Sequence, residues 1–266
     1  MSKLDGLISD LMAEHEALDE EVAELEPERF RLATPAEGWT VADQLSHLAY
    51  YDTTAALALV NPEAFAEHKR ALFAGEADPA SDVALGRSVP PERLLADWRT
   101  SRRDLLDALE AADPEKRVAW YGPEMSLASF ITARLMETWA HGQDVRDALG
   151  RPPVVSDRLR HICHLGFSAR RYAYLVHGLD PPTEPVRVEA TAPGGSAWLF
   201  GPTEATDSIR GSALGLALVF TQRRHPAETD VVAEGKAAGE WLAIAQAFAG
   251  PPGTGRRPGL GMPEPV

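Results

Sequence analysis

The sequence predicts an α+β protein, with a four-helix bundle over residues 1–153 and a smaller α/β domain over 154–250. Three observations predict this class. Apolar residues recur at alternating steps of three and four through most of the first 150 positions, which is the period of amphipathic helices. Gly150 is followed by Pro152 and Pro153, a strong stop signal. Beyond residue 180 the pattern changes to short strand-like runs around a Gly-Gly turn.

In the first helix the stripe runs Leu4, Ile8, Leu11, Leu18, Val22 and Leu25, and His15 fills its missing step. A second helix opens at "WTVADQLSHLAYYD", with Thr40 as N-cap and Asp43 at the third helical position, close to a capping box. Its stripe is Val41, Leu45, Leu48, Asp52, Ala55 and Leu59, bordered by His47. Residues 60–88 read as a loop with a short helix near 62–74. The third helix starts at "VPPERLLADW", where the prolines stand at positions that need no N–H. The fourth runs from Ser126 to Gly150, and four such helices, each with one apolar face, make a bundle. In the second domain, 157–176 reads as a leading helix and "VRVEATAPGGSAWLFGP" as two strands around a turn. Residues 209–222 read as an apolar helix, "DVVAEG" as a short strand, and "AAGEWLAIAQAFAG" as a last helix capped by Gly250. The Pro/Gly-rich stretch 251–266 reads as a disordered tail.

A net charge of -14 argues against binding nucleic acid or an anionic membrane surface. No apolar run approaches the roughly 20 residues of a membrane span, and the amphipathic, acidic start "MSKLDGLISD" is unlike a targeting peptide. With Cys163 as its single cysteine the chain has no internal disulfide, which fits a reducing, cytoplasmic setting. That thiol reads as a small, half-buried residue. "GPPGTG" lacks the Lys-Ser/Thr of a phosphate loop.

The segment "RLMETWAHGQDVRDALG" places Glu137, His141 and Asp144 four and three residues apart, so their side chains stand above one another on one helix face. Spacing alone is weak: chance supplies about one acid-then-His pair four apart, and the chain has three, Asp43/His47, Glu137/His141 and Asp157/His161. His141 shares a face with Ile131, Thr138 and Val145, so it points inward, and His47 flanks a core stripe. Two readings stay open. His47 and His141 are core histidines paired with Asp43 and Glu137, or these side chains hold a metal with an open position, as catalytic zinc sites do. Arg134, one turn before Glu137, reads either as a salt-bridge partner of Glu137 or as a ligand-binding cation. Asp52, a charge on an apolar stripe, belongs to structure or to a ligand pocket.

"GWTVADQLSHLAYYD", followed by "ETWAHGQDVRDALG", resembles the DinB-like metalloproteins and, within them, the mycothiol-dependent maleylpyruvate isomerase-like family. "GSALGLALVFTQRR" and "WLAIAQAFAGPPG" extend the resemblance to a C-terminal α/β domain similar to sterol carrier proteins. The resemblance implies metal ligation by His47, Glu137 and His141, with zinc first and nickel or iron as alternatives. Asp144, one turn beyond His141, reads either as an acceptor behind the ligands that orients that imidazole or as a cap of the helix end through a solvent-facing bond. The resemblance also implies a low-molecular-weight thiol such as mycothiol as cofactor, a small-molecule electrophile as substrate, and an activity of isomerisation or S-transfer. Arg134 and Asp52 are the candidate residues for holding the thiol, and Arg223 or Arg224 of "TQRRH" the candidates for an arginine contributing to activity. The family pattern leads us to expect an acidic residue where this chain has Gly215. A metal-dependent hydrolase activating water and a noncatalytic binding protein are the competing classes. A homodimer through the bundle helices is compatible with the pattern.

Overall fold

Thr40 starts the second helix as its sequence requires: its hydroxyl accepts from the Asp43 N–H, and the Asp43 carboxylate accepts from the Thr40 N–H at 2.9 Å. This closed capping box satisfies two of the N–H groups that every helix start leaves open. The computed structural model describes residues 3–76, 80–253, 255–256 and 258. The chain divides into two units, Met1–Pro152 and Pro153–Val266.

The first unit is built on four long helices: α1 (Lys3–Val22), α2 (Val41–Val60), α5 (Pro91–Glu110) and α6 (Leu127–Leu149). They form a closed ring of neighbours, α1 on α5, α5 on α2, α2 on α6 and α6 on α1. Their apolar faces meet inside around Leu18, Val22, Leu45, Leu48, Trp98 and Val145, all buried. Each fully buried side chain of this size contributes about 1.5–3 kcal/mol relative to exposure. α6 begins at the Ser126 N-cap and stops at Gly150, whose φ of 67° is the left-handed conformation that a residue without Cβ adopts at no steric cost. A two-stranded ribbon, β1 (Arg117–Val118) with β2 (Met125–Ser126), precedes α6 and was not legible in the sequence.

Between α2 and α5 the expected loop with one helix is two helices, α3 (Pro62–Phe73) and α4 (Ser81–Ser88). α4 packs against α2 so closely that a Cβ at Gly86 would clash with the Ala42 carbonyl oxygen. The Gly86 N–H donates to Ser46 Oγ at 2.9 Å, and Arg87 pairs with Asp43 at 2.8 Å. These contacts come from residues far apart in sequence, which is why local pattern left the segment unassigned. Among the described residues, no helix is long and apolar enough to cross a membrane.

The second unit is a four-stranded sheet with helices. Strands β3 (Val186–Thr191), β4 (Ala197–Phe200), β5 (Asp207–Ser212) and β6 (Val232–Glu234) lie in the order β4-β3-β5-β6. β3 pairs antiparallel to β4 and parallel to β5, with Val188 opposite both Phe200 and Ile209. Val186, Val188 and Ala190 alternate inward, as a pleated strand requires. Helices α7 (Leu159–Ser168), α9 (Ala213–Phe220) and α10 (Lys236–Ala243) pack against the sheet.

Three expectations need correction here. The leading helix is not continuous over 157–176: α7 starts at Leu159 and ends at Ser168, Ala169 is a turn, and α8 (Arg170–Val176) follows. Helix does not begin at Ile209, because Asp207–Ser212 is drawn into the sheet beside β3, and Ser212 then caps α9 by accepting from the Gly215 N–H at 3.0 Å. The last helix stops at Ala243 rather than near Gly250, since the chain turns so that the Ala247 N–H donates to the Phe220 carbonyl at 2.8 Å. The stretch 251–266, for which the sequence predicts disorder, lies mostly outside the described residues.

Candidate metal centre

α2 and α6 are neighbours, and their facing positions bring His47, Glu137 and His141 together. One ligand atom from each lies within 4.8 Å of the others. The two imidazole centroids are 4.3 Å apart, and His141 Nε2 lies 3.3 Å from Glu137 Oε2. Within α6 the four-residue spacing of Glu137 and His141 produces that contact directly.

The other nitrogen of each imidazole is already engaged. His47 Nδ1 is bonded to Asp82 Oδ2 at 2.7 Å. His141 Nδ1 is bonded to Gln44 Oε1. Thr34 settles the proton positions: its hydroxyl donates to the Trp39 carbonyl at 3.0 Å and accepts from Gln44 Nε2 at 2.9 Å. Gln44 therefore presents its oxygen to His141, so Nδ1 of His141 carries a proton and Nε2 is the nitrogen that faces Glu137. Asp82, an acceptor when ionised, makes the same assignment for His47. Two imidazole nitrogens that have given up their protons and one carboxylate oxygen are a donor set that suits a divalent cation of the zinc type. Partners on the far nitrogens are the arrangement that orients histidine ligands.

Burial works to raise the Glu137 carboxyl. The hydrogen bond and charge of His141, with Arg134 and His47 adding, outweigh it and hold the group at about 2. It is therefore an anion at neutral pH. Trp39 and Tyr51 flank the site, with the Tyr51 ring 4.5 Å from His47 and the Trp39 ring stacked 6.0 Å from His141. Burial, then the charge of Asp82, the Tyr50 phenol and Glu137, push the Tyr51 phenol up to about 12, so it keeps its proton.

Several sequence-level pairings are replaced. Asp43 does not partner His47: it closes the capping box and pairs with Arg87. Arg134 bonds Asp52 rather than Glu137, with Nη2 at 2.9 Å from Oδ1, and the two side chains are 3% and 0% exposed. This pair is matched to itself in the interior and lies one turn along α6 from Glu137, rather than open to a ligand. His15 stands 3.7 Å from the other Asp52 oxygen, and burial foremost lowers its pKa to about 4. Asp144 is buried rather than a solvent-facing cap, and Gly150 ends the helix. The acceptor on His141 Nδ1 is Gln44. Arg223 and Arg224 follow α9 in the second unit; their guanidinium groups donate to the carbonyls of Thr221 and Arg223, both at 2.7 Å. Gly215 leaves room for Asp230, whose carboxylate would collide with a Cβ there and accepts from the Ser212 N–H at 2.7 Å. Cys163 is buried, and burial pushes its thiol up to about 12, so it is no nucleophile at neutral pH.

Gln44, Asp82, Trp39 and Tyr51 are the neighbours that sequence reasoning missed. Only Gln44 had a local signal, standing one turn before His47 on the same helix. Comparison with known proteins places the helical half. The family model described as "Mycothiol maleylpyruvate isomerase N-terminal domain" matches residues 11–146. The chain belongs to this family. Relatives include two uncharacterized proteins of Mycobacterium tuberculosis, from strains CDC 1551 / Oshkosh and ATCC 25618 / H37Rv. Each is 47% identical over 250 residues, covering 94% of this chain and 97% of the relative. Crystal structures of the mycothiol-dependent maleylpyruvate isomerase and of a mutant of it are similar in fold. Each has a TM-score of 0.58 at 16% identity, covering 89% of this chain and 96% of that one. The mixed helical and sheet architecture is thus shared with that isomerase.

Proposed function

We propose that this chain is a metal-dependent enzyme that uses a low-molecular-weight thiol of the mycothiol type to isomerise, or to transfer sulfur to, a small electrophile. In this reading the first unit is a DinB-like four-helix bundle and the second an α/β domain of the sterol carrier type. His47, Glu137 and His141 hold the cation. The observation that carries the reading is that three donors converge while the far nitrogen of both imidazoles is occupied, so the near nitrogens and the Glu137 carboxylate face one place. The isomerase named by the family and by the structural neighbours is described as mycothiol-dependent, which supports the choice of thiol.

A divalent cation held there favours the deprotonated form of a thiol, so a free-thiol pKa of about 8.5 no longer limits the supply of nucleophile. The protein's own groups do the rest. Asp82 and Gln44 hold the imidazoles in one tautomer. Glu137 contributes one negative charge. Trp39 and Tyr51 wall the site with aromatic surface, and the protonated Tyr51 phenol offers a donor and no charge. Asp144 supports the ligands from α6, the Asp52–Arg134 pair keeps α2 and α6 in register beside them, and Arg223 or Arg224 is the arginine that contributes to activity. Cys163 takes no part.

The test is thiol binding with and without metal. Mycothiol should bind the metal-loaded protein far more tightly than the apo-protein in calorimetry. Its affinity should rise with pH until the free thiol has ionised, because binding releases a proton. A thiol affinity indifferent to metal rejects the reading.

A further inference from the structure

The second unit holds buried hydrogen-bond donors that its fold does not satisfy. Arg170 opens α8 and donates from Nη1 to the Glu184 carbonyl at 2.8 Å. Its guanidinium lies over the Trp241 indole, with Cζ 5.5 Å from the ring centre. The remaining groups, Nε and Nη2, are buried with no hydrogen-bond partner among the described residues. Tyr174, one turn further on the same face, is 4% exposed, and its hydroxyl is buried with the Arg170 guanidinium beside it and no acceptor for its proton among the described residues. Burial foremost raises the pKa of this phenol, so it remains a donor.

Both residues line a groove of about 500 Å³, within the range of small-molecule sites. Its walls are largely apolar: Phe167, Val186 and the rings of Pro181, Pro182 and Pro202. Proline fixes its own backbone, so these walls are set before any ligand arrives. None of the lining residues is acidic, in a chain with 40 Asp and Glu, whereas Arg171 adds a second cation to Arg170.

We propose that this groove binds a small organic oxyanion, a carboxylate carried on an apolar stem, with the carboxylate on Arg170 and Tyr174 and the stem along the proline wall. The donor inventory selects this chemistry. A guanidinium has no acceptor, and the Tyr174 oxygen can take at most one of its N–H groups while the phenol still donates, so more N–H and O–H groups meet here than there are acceptors to receive them. Buried donors left in that state are destabilising. One water offers two lone pairs and would turn its own protons toward a cation. A carboxylate offers two oxygens with about four lone-pair sites and cancels the charge, in the geometry arginine recognises best. The site is independent of the metal centre and of the activity proposed for it.

Octanoate is the probe, titrated calorimetrically into the full-length protein beside octanol, octylamine and acetate. Octanoate should bind, and Arg170→Met should weaken it by on the order of tenfold or more, the value of a charge-assisted hydrogen bond. Tyr174→Phe should weaken it about threefold to tenfold, the value of a neutral hydrogen bond. Octanol and octylamine should bind at least about tenfold more weakly than octanoate, because neither brings an anion. His47→Ala should leave octanoate affinity unchanged. The proposal is overturned if octanoate does not bind at millimolar concentration, if octanol matches it, if acetate matches it, or if His47→Ala abolishes binding. Should Arg170→Met fail to fold, Tyr174→Phe, which removes a single oxygen, decides alone: unchanged affinity overturns the proposal.

Discussion

Replacing Asp82 by alanine is the most direct probe of how the metal centre is assembled, because Asp82 touches His47 through a single bond and is not itself a proposed ligand. The 2.7 Å contact to Nδ1 fixes both the ring orientation and the tautomer of His47. A hydrogen bond to a charged group is worth about 1.5–3 kcal/mol when well buried. Here the two side chains are 16% and 15% exposed, so water recovers part of that and about 1–2 kcal/mol remains. Freeing the imidazole to rotate adds about 0.5 kcal/mol. The sum corresponds to roughly a tenfold to hundredfold loss of metal affinity, the range usual for partners of metal-bound histidines. Global stability should fall by no more than about the 1–2 kcal/mol of the bond itself, because α4 is held to α2 separately by Gly86 to Ser46 and Arg87 to Asp43. Asp82→Asn can still accept through its amide oxygen and should lose only about threefold. Competition titrations against a chelator, with thermal melting followed in parallel, measure both quantities. An Asp82→Ala protein that binds divalent metal like the parent, while His47→Ala does not, would refute the orienting role.

Three further outcomes follow from the same geometry. His47→Ala, Glu137→Ala and His141→Ala should each lose most bound divalent metal while keeping a helical spectrum, and full stoichiometry by elemental analysis in any one removes that residue from the ligand set. Breaking the interior pair by Arg134→Met or Asp52→Asn should cost about 3–5 kcal/mol in urea unfolding, with the double variant costing less than the two singles together; a single-variant loss under about 1 kcal/mol would contradict the buried pairing. His15 has a folded-state pKa of about 4, below the ordinary 6.5, so the unfolded chain binds more protons between those values. Its contribution is therefore complete above about pH 6.5 and declines as pH falls toward 4, by about 2 kcal/mol between pH 6.5 and 5. His15→Leu should flatten that part of the stability–pH curve, and an unaltered slope would exclude His15 as its source.

Local pattern and tertiary contact divided this protein between them along a physical line. The starts and stops of α2 and α6 were legible, because caps satisfy backbone groups within three or four residues: Thr40 with Asp43 at one end, Gly150 at the other. The inward face carrying Glu137 and His141 was legible because a period of 3.6 converts spacing into direction. Direction does not name the neighbour. That His47 meets Asp82, that Gln44 orders His141 through Thr34, and that Arg134 meets Asp52 all depend on which helices pack against α2 and at what height. Ile209 shows the same limit in the second unit, where an apolar run that reads as helix becomes strand because β3 offers its edge. Short-range hydrogen bonding and periodicity are written in consecutive residues. The partners of buried polar groups are chosen only when segments 35 to 97 residues apart close on one another, as Asp82 does on His47 and Gln44 on His141.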